Sequence, residues 1–165
     1  METIQTIKKR RSIRTFESRA VSKDIIKELL DCARFAPTAR NIQAWQFIVI
    51  TDKQTKKKIS DLAPNGNFIK DAPVCIAIVS EDTKYYLEDG SAATQNLLLA
   101  AVDLGLAACW VAGDKKDYCV NVLDILKVPY KYKLVSMIAL GYSKEKNEIA
   151  PKKSLDHLVH WERFK

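Results

Sequence analysis

The stretch from Ser91 to Leu104 constrains the fold more than any other part of the chain. Ala92, Ala93, Leu97, Leu98, Leu99, Ala100, Ala101, Val102 and Leu104 leave it little polar face. A helix apolar on nearly all sides belongs in an interior, and its alanines let another helix approach closely. Gly105 follows where a left-handed C′ residue ends such a helix. With 165 residues the chain is long enough to wrap a core around it, and residues 1–165 are read as a single domain.

Other elements are legible on either side. Thr3 to Lys9 reads as a short amphipathic helix with Ile4 and Ile7 on one face. Ser22 suits the N-cap of a second helix, with Asp24 in its first turn, Ile25, Ile26, Leu29, Leu30 and Ala33 at helical spacing, and Pro37 beyond its end. Trp45 to Thr51, Val74 to Val79, Ala107 to Ala112 and Leu134 to Leu140 read as strands. Lys53 to Leu62 and Asp117 to Leu126 read as helices, Pro64-Asn65-Gly66-Asn67 as a turn, and Leu155 to Trp161 as a short final helix. Strands alternating with helices place the fold in the α/β or α+β class.

Several chemistries are excluded. The five glycines, Gly66, Gly90, Gly105, Gly113 and Gly141, are too scattered for GxGxxG or a Walker A loop, where backbone must approach phosphate closely. His157 and His160 lack HExxH and a third ligand, so surface histidines are expected and no metal site. No GxSxG elbow supports a nucleophilic hydrolase. Cys32, Cys75, Cys109 and Cys119 form no CxxC and read as free thiols. No apolar run is long enough to cross a bilayer. The opening, Met1 to Arg14, lacks the apolar stretch of a secretory signal, so the expected compartment is the cytoplasm.

The net charge of +7 points to a polyanionic partner or an anionic ligand. Lys8-Lys9-Arg10-Arg11-Ser12-Ile13-Arg14 stands near the start, Lys56-Lys57-Lys58 in a helix with an expected solvated face, and Lys152-Lys153 after Pro151. Arginine forks and a serine hydroxyl suit a phosphate. The other reading of the first cluster is a basic nucleic-acid-binding module, although neither an aromatic stacking platform nor a recognition-helix pattern accompanies it. A chain without an obvious catalytic side chain fits cofactor chemistry, in which the cofactor carries the reactive atom.

Four blocks in order resemble the FMN-dependent nitroreductases, and together they span the chain. Arg10-Arg11-Ser12-Ile13-Arg14-Thr15-Phe16 resembles the family's N-terminal Arg-x-Ser-x-Arg signature. Ala36-Pro37-Thr38-Ala39-Arg40-Asn41-Ile42-Gln43-Ala44-Trp45-Gln46-Phe47 is similar to its APSxxNxQPW(x)F loop and strand. Asp89 through Gly113 resembles the long helix and the strand that follows it, through Cys109-Trp110. Leu140-Gly141-Tyr142, Pro151-Lys152-Lys153-Ser154-Leu155 and His160-Trp161 are similar to the closing blocks. Ala44 stands where proline is usual, and Lys152 where arginine is common.

The resemblance implies an α+β flavoprotein sandwich, a central mostly antiparallel sheet flanked by helices, in an intertwined homodimer paired through the alanine-rich helix. It implies an FMN oxidoreductase that passes hydride from NADH or NADPH, through flavin N5, to a small acceptor such as a nitroaromatic or quinone in ping-pong fashion. A specialised flavoprotein of the same fold, such as a dehalogenase or a flavin store, is the nearer alternative. The cofactor-binding residues it implies are Arg10, Arg11, Ser12, Lys152 and Lys153 for the phosphate and Arg14 for the ribityl chain and pyrimidine edge. Pro37, Thr38, Asn41 and Gln43 would come from the partner subunit, and Ala112 and Gly113 would offer backbone N–H groups near N5. Asn65 and Asn67 are left unassigned, and Trp45 and Trp110 are expected in the core. No nucleic acid and no membrane are expected as partners.

Overall fold

A computed structural model describes residues 2–144 and 151–164. Four strands form one sheet: β1 (Trp45–Ile50), β2 (Val74–Glu81), β3 (Ala107–Ala112) and β4 (Tyr132–Gly141), in the order β1-β2-β4-β3. Every neighbouring pair is antiparallel, which settles the fold class as α+β. Five helices flank the sheet: α1 (Thr3–Lys9), α2 (Lys23–Arg34), α3 (Lys53–Leu62), α4 (Tyr86–Asp103) and α5 (Cys119–Ile125).

Side chains alternate across a strand, and here each face of the sheet meets its own core. Ile76, Ile78 and Ile138 pack with Leu29 of α2 and Leu97 of α4 on one face. Cys75, Ala77, Val79 and Met137 pack with Ile59 of α3 and Val122 of α5 on the other. That double coverage is why β2 reads as a continuous apolar run: all its residues but Glu81 are buried. Burial pushes the Cys75 thiol up to about 12, as expected for a thiol acting as a core hydrophobe.

The caps are where the sequence placed them. The Ser22 hydroxyl accepts from Ile25 N–H at 3.3 Å. Gly105 has φ of 73° and closes α4, with Leu106 N–H reaching back to Ala101 O at 2.7 Å. Trp45 is buried and Trp110 half-buried, both against the α2/α4 core.

Some expectations need correction. Helix α4 begins at Tyr86, not Ser91, and Gly90 lies inside it, close against Val135 of β4. Within one chain α4 is not buried on all sides: Ala92, Asn96, Leu99 and Ala100 are only half-buried, since α2 and the sheet cover a single face. On α1 the face turned inward carries Thr6, while Ile4 and Ile7 stay 67% and 52% exposed. Lys56 is not on a solvated face. It is buried, and its ammonium caps the carbonyls of Ala72 and Pro73 at the mouth of β2, with desolvation pushing its pKa down. The final helix shrinks to one 3₁₀ turn, Leu155–His157.

A Cβ at Gly90 would stand 2.8 Å from both Val135 methyls. Gly90→Ala is therefore expected to lower stability by about 1–3 kcal/mol, with Val135→Ala restoring part of the loss in the same background. Urea unfolding of the two single variants and the double variant measures that cycle.

Candidate functional site

The cationic N-terminal segment is fixed to the free edge of the sheet. Ser12 bridges Ala108 in parallel fashion, and Ile13 N–H donates to Ala108 O at 3.1 Å. Ile13 and Phe16 anchor the segment in the α3/α5 core while Ser12 and Arg14 stay exposed. Arg14, the Ser12 hydroxyl and Arg10 all act on the Cys109 thiol, opposing the burial that raises its pKa. Arg10, Ser12 and Arg14 thus lie along the segment that is bridged to β3 at Ala108.

Arg11 behaves differently. Its Nη1 donates to Lys8 O at 2.7 Å and Arg10 O at 2.6 Å, closing the C-terminus of α1. Its Nε is buried without a partner. A buried donor left unmade is costly, and an anion seated beside it would satisfy it.

Arg14 lies over the Phe68 ring at 5.8 Å. Phe68 belongs to the 3₁₀ segment Pro64–Lys70, so the turn carrying the exposed Asn65 and Asn67 adjoins the same cationic edge. Ser60 Oγ donates to Asn67 O at 2.5 Å, and Gly66 sits against Val111 of β3.

At the far end of β3 the chain turns a corner through Ala112, Gly113 and Asp114. Gly113 N–H donates to Val135 O at 3.2 Å. Antiparallel ladders bond alternate residues, so Ala112 directs its backbone groups to the outer edge. Tyr118 Oη donates to Ala112 O and the Cys119 thiol to Gly113 O, while Tyr86 Oη donates to Asp114 Oδ1 at 2.6 Å. That bond, with burial, pushes the Tyr86 phenol up to about 12. The expectation of two free N–H groups is thus corrected: the sheet holds that of Gly113, and Ala112 alone presents one.

The loop from Pro37 to Gln43 is built on a carboxylate that the sequence reading did not single out. Thr38 Oγ1 donates to Asp89 Oδ2 at 2.7 Å, and Ala39 N–H reaches both Asp89 oxygens at 3.2 Å. Gln43 N–H in turn donates to Thr38 Oγ1 at 3.1 Å, and Gln43 Nε2 to Asn41 Oδ1 at 3.0 Å. Pro37, Asn41 and Gln43 are exposed. The signal in the sequence was an acidic pair, Glu88-Asp89, just before the apolar stretch.

The structure therefore gathers Arg10, Ser12 and Arg14 on the β3 edge, and Thr38, Asn41 and Gln43 on Asp89. No hydrogen bond or ion pair among the described residues joins the two groups. Lys152 and Lys153 are exposed, and no such contact ties them to either group.

A sheet edge lined with arginine and serine, an outward backbone N–H and a polar loop are thus carried on an α+β sandwich. Comparison with known proteins gives the class its name. The Nitroreductase family matches residues 7–67 and 63–142, so the chain belongs to that family. It is 34% identical over 151 residues to a putative NADH dehydrogenase/NAD(P)H nitroreductase of Methanothermobacter thermautotrophicus, covering 88% of this chain and 79% of that protein. An FMN-dependent nitroreductase of Clostridium difficile superposes with a TM-score of 0.89 at 33% identity, covering 98% of this chain and 99% of that one. A putative NADH dehydrogenase/NAD(P)H nitroreductase of Bacteroides thetaiotaomicron gives 0.95 at 25% identity, covering 99% of both chains. The sandwich expected from the sequence is therefore the fold observed. Among the described residues no helix is long and apolar enough to cross a membrane.

A Cβ at Gly113 would lie 2.6 Å from Leu134 Cγ and 2.8 Å from Leu134 O. Backbone cannot yield as a side chain can, so Gly113→Ala is expected to open the β3–β4 end and cost about 1–3 kcal/mol. Faster hydrogen exchange at Gly113 and Asp114 would register it, and unchanged exchange would contradict it.

Proposed function

We propose that this chain is a flavin oxidoreductase of one domain, residues 1–165, which binds FMN and uses NADH or NADPH as electron donor. The carrying observation is the β3 edge: the Ser12–Ala108 pairing holds Arg10, Ser12 and Arg14 along it, and among the described residues the buried Arg11 Nε has no partner. This donor set fits a phosphate dianion attached to an uncharged chain. FMN held there would supply the two-electron chemistry that links NADH or NADPH, in ping-pong order, to a small acceptor such as a nitroaromatic or quinone.

The residues act by holding and orienting. Arg10 and Ser12 would bind the phosphate, with Arg11 Nε as a buried further donor. Lys152 and Lys153 would join them from the closing segment. The Phe16–Ser143 bridge sets the chain beside the N-terminal segment shortly before that point. Arg14, steadied by Phe68, would place positive charge toward the ribityl chain and pyrimidine edge, favouring negative charge there. The Ala112 N–H would address N5, and Gly113 would shape the corner that aims it. Pro37, Thr38, Asn41 and Gln43 would meet the flavin of a partner subunit.

A homodimer follows from what one chain leaves uncovered. The half-buried face of α4, with Asn96, Leu99 and Ala100, lines a groove of ≈ 360 Å³ with Cys32 and Phe35. Phe35 is 70% exposed and Ile42 52%, while Leu155, Trp161 and Phe164 of the closing segment are at least 74% exposed. These exposed apolar side chains support the reading that a second copy covers this face. The cytoplasm remains the proposed compartment, and neither nucleic acid nor membrane is a proposed partner.

Titration with FMN and with riboflavin, which lacks the phosphate, tests the reading. The wild-type protein is expected to bind FMN with a yellow spectrum. Arg10→Ala/Ser12→Ala is expected to weaken FMN binding about 10- to 100-fold and to leave riboflavin binding within about twofold. Wild-type protein that takes up neither flavin would contradict it.

A further inference from the structure

Resting on that reading, we propose that Asp89 is a positioning residue: its buried carboxylate holds the Pro37–Gln43 loop in the conformation that lets Asn41 and Gln43 reach a flavin. Asp89 is 7% exposed, in the first turn of α4. It touches none of the loop's exposed amides directly. It acts through Thr38, whose hydroxyl donates to the carboxylate and accepts from Gln43 N–H. Gln43 then holds Asn41 side chain to side chain. One acceptor, about fifty residues away in sequence, thereby sets two exposed amide side chains at once.

The loop needs such a hold. Arg40, Asn41 and Gln43 have φ of 53°, 55° and 52°, a region that non-glycine residues seldom occupy and that persists only where surroundings enforce it. The bonds within the loop, Asn41 N–H to Thr38 O and Ile42 N–H to Ala39 O, curl it without fixing it to the rest of the molecule. Asp89 supplies that reference. The next residue, Gly90, is pressed against Val135 of the sheet, and Tyr86, one turn earlier, holds Asp114 at the Ala112 corner. A single turn of α4 therefore carries both the loop and the corner that presents the outward N–H.

Chemistry makes the residue type specific. A carboxylate only accepts, and here both oxygens face donors. Replacing Asp89 by asparagine would either set an NH₂ against Ala39 N–H, donor against donor, or face it to the Thr38 hydroxyl, which would then have to accept where it now donates.

The test compares wild type with Asp89→Asn and Thr38→Val, the latter leaving the buried carboxylate intact. FMN and riboflavin are titrated into each apoprotein, and hydrogen exchange at Ala39 and Gln43 is followed without flavin. Both variants are expected to bind FMN about tenfold more weakly or worse and to bind riboflavin more weakly by a similar factor, because the loop addresses the ring and not the phosphate. Gln43 exchange is expected to rise in both, the double variant to be no weaker than Asp89→Asn alone, and Thr38→Ser to recover binding that Thr38→Val loses. Wild-type affinity and protection in both single variants would overturn the inference while leaving the proposed function standing. A wild-type protein that binds no flavin would remove both.

Discussion

The packing of α4 on the sheet is the interaction from which the rest follows. One face of the helix is sealed by α2 and by β2 and β4, with Gly90 allowing van der Waals approach to Val135. Its first turn thereby becomes a rigid mount, and from it Asp89 holds the Thr38 loop while Tyr86 holds the Asp114 corner. The opposite face, with Leu99 and Ala100 half-buried, is only partly covered by the described residues, α1 lying beside it. The same helix thus organises the polar loop and leaves the apolar surface on which we propose a second copy sits.

The second organising contact is the edge pairing of Ser12 and Ile13 with Ala108. Without it a run of arginines near the start of the chain would be a mobile polycation. With it, Ile13 and Phe16 are driven into the core and the intervening polar residues are displayed in fixed order. The apolar residues hold the segment and the polar residues do the recognition. Arg11 illustrates the division, since part of its guanidinium closes α1 and part is left buried and unmatched.

Much of this was legible in the sequence, for definite reasons. The strands were found because central β2 is apolar from Val74 to Val79 and its neighbours carry β-branched and aromatic residues. Ser22 and Gly105 marked helix ends because their chemistry suits only such positions. Lys56 misled because three consecutive lysines look uniform, whereas one of them points inward to two carbonyls. The start of α4 was missed because the reading followed the apolar stretch from Ala92, whereas the first turn of the helix carries Glu88 and Asp89. Asp89 and Tyr86 were passed over because each bonds to a residue far away in sequence, and one chain without its fold does not show such pairings. The free N–H expected of Gly113 failed similarly: its partner, Val135, is fixed only by the register of β3 on β4.

The central claim is that a working site needs two chains, the β3 edge of one and the Pro37–Gln43 loop of the other. Differently tagged subunits, one carrying Arg10→Ala/Ser12→Ala and the other Asn41→Ala/Gln43→Ala, can be co-expressed and the hybrid purified. Each parent homodimer would have two damaged sites, whereas the hybrid would concentrate both lesions in one site and leave the other whole. Recovery in the hybrid of about half the wild-type flavin content and NAD(P)H oxidation is the expected result, since one of two sites is intact. A hybrid as impaired as both parents would place edge and loop in the same chain's site and contradict the account.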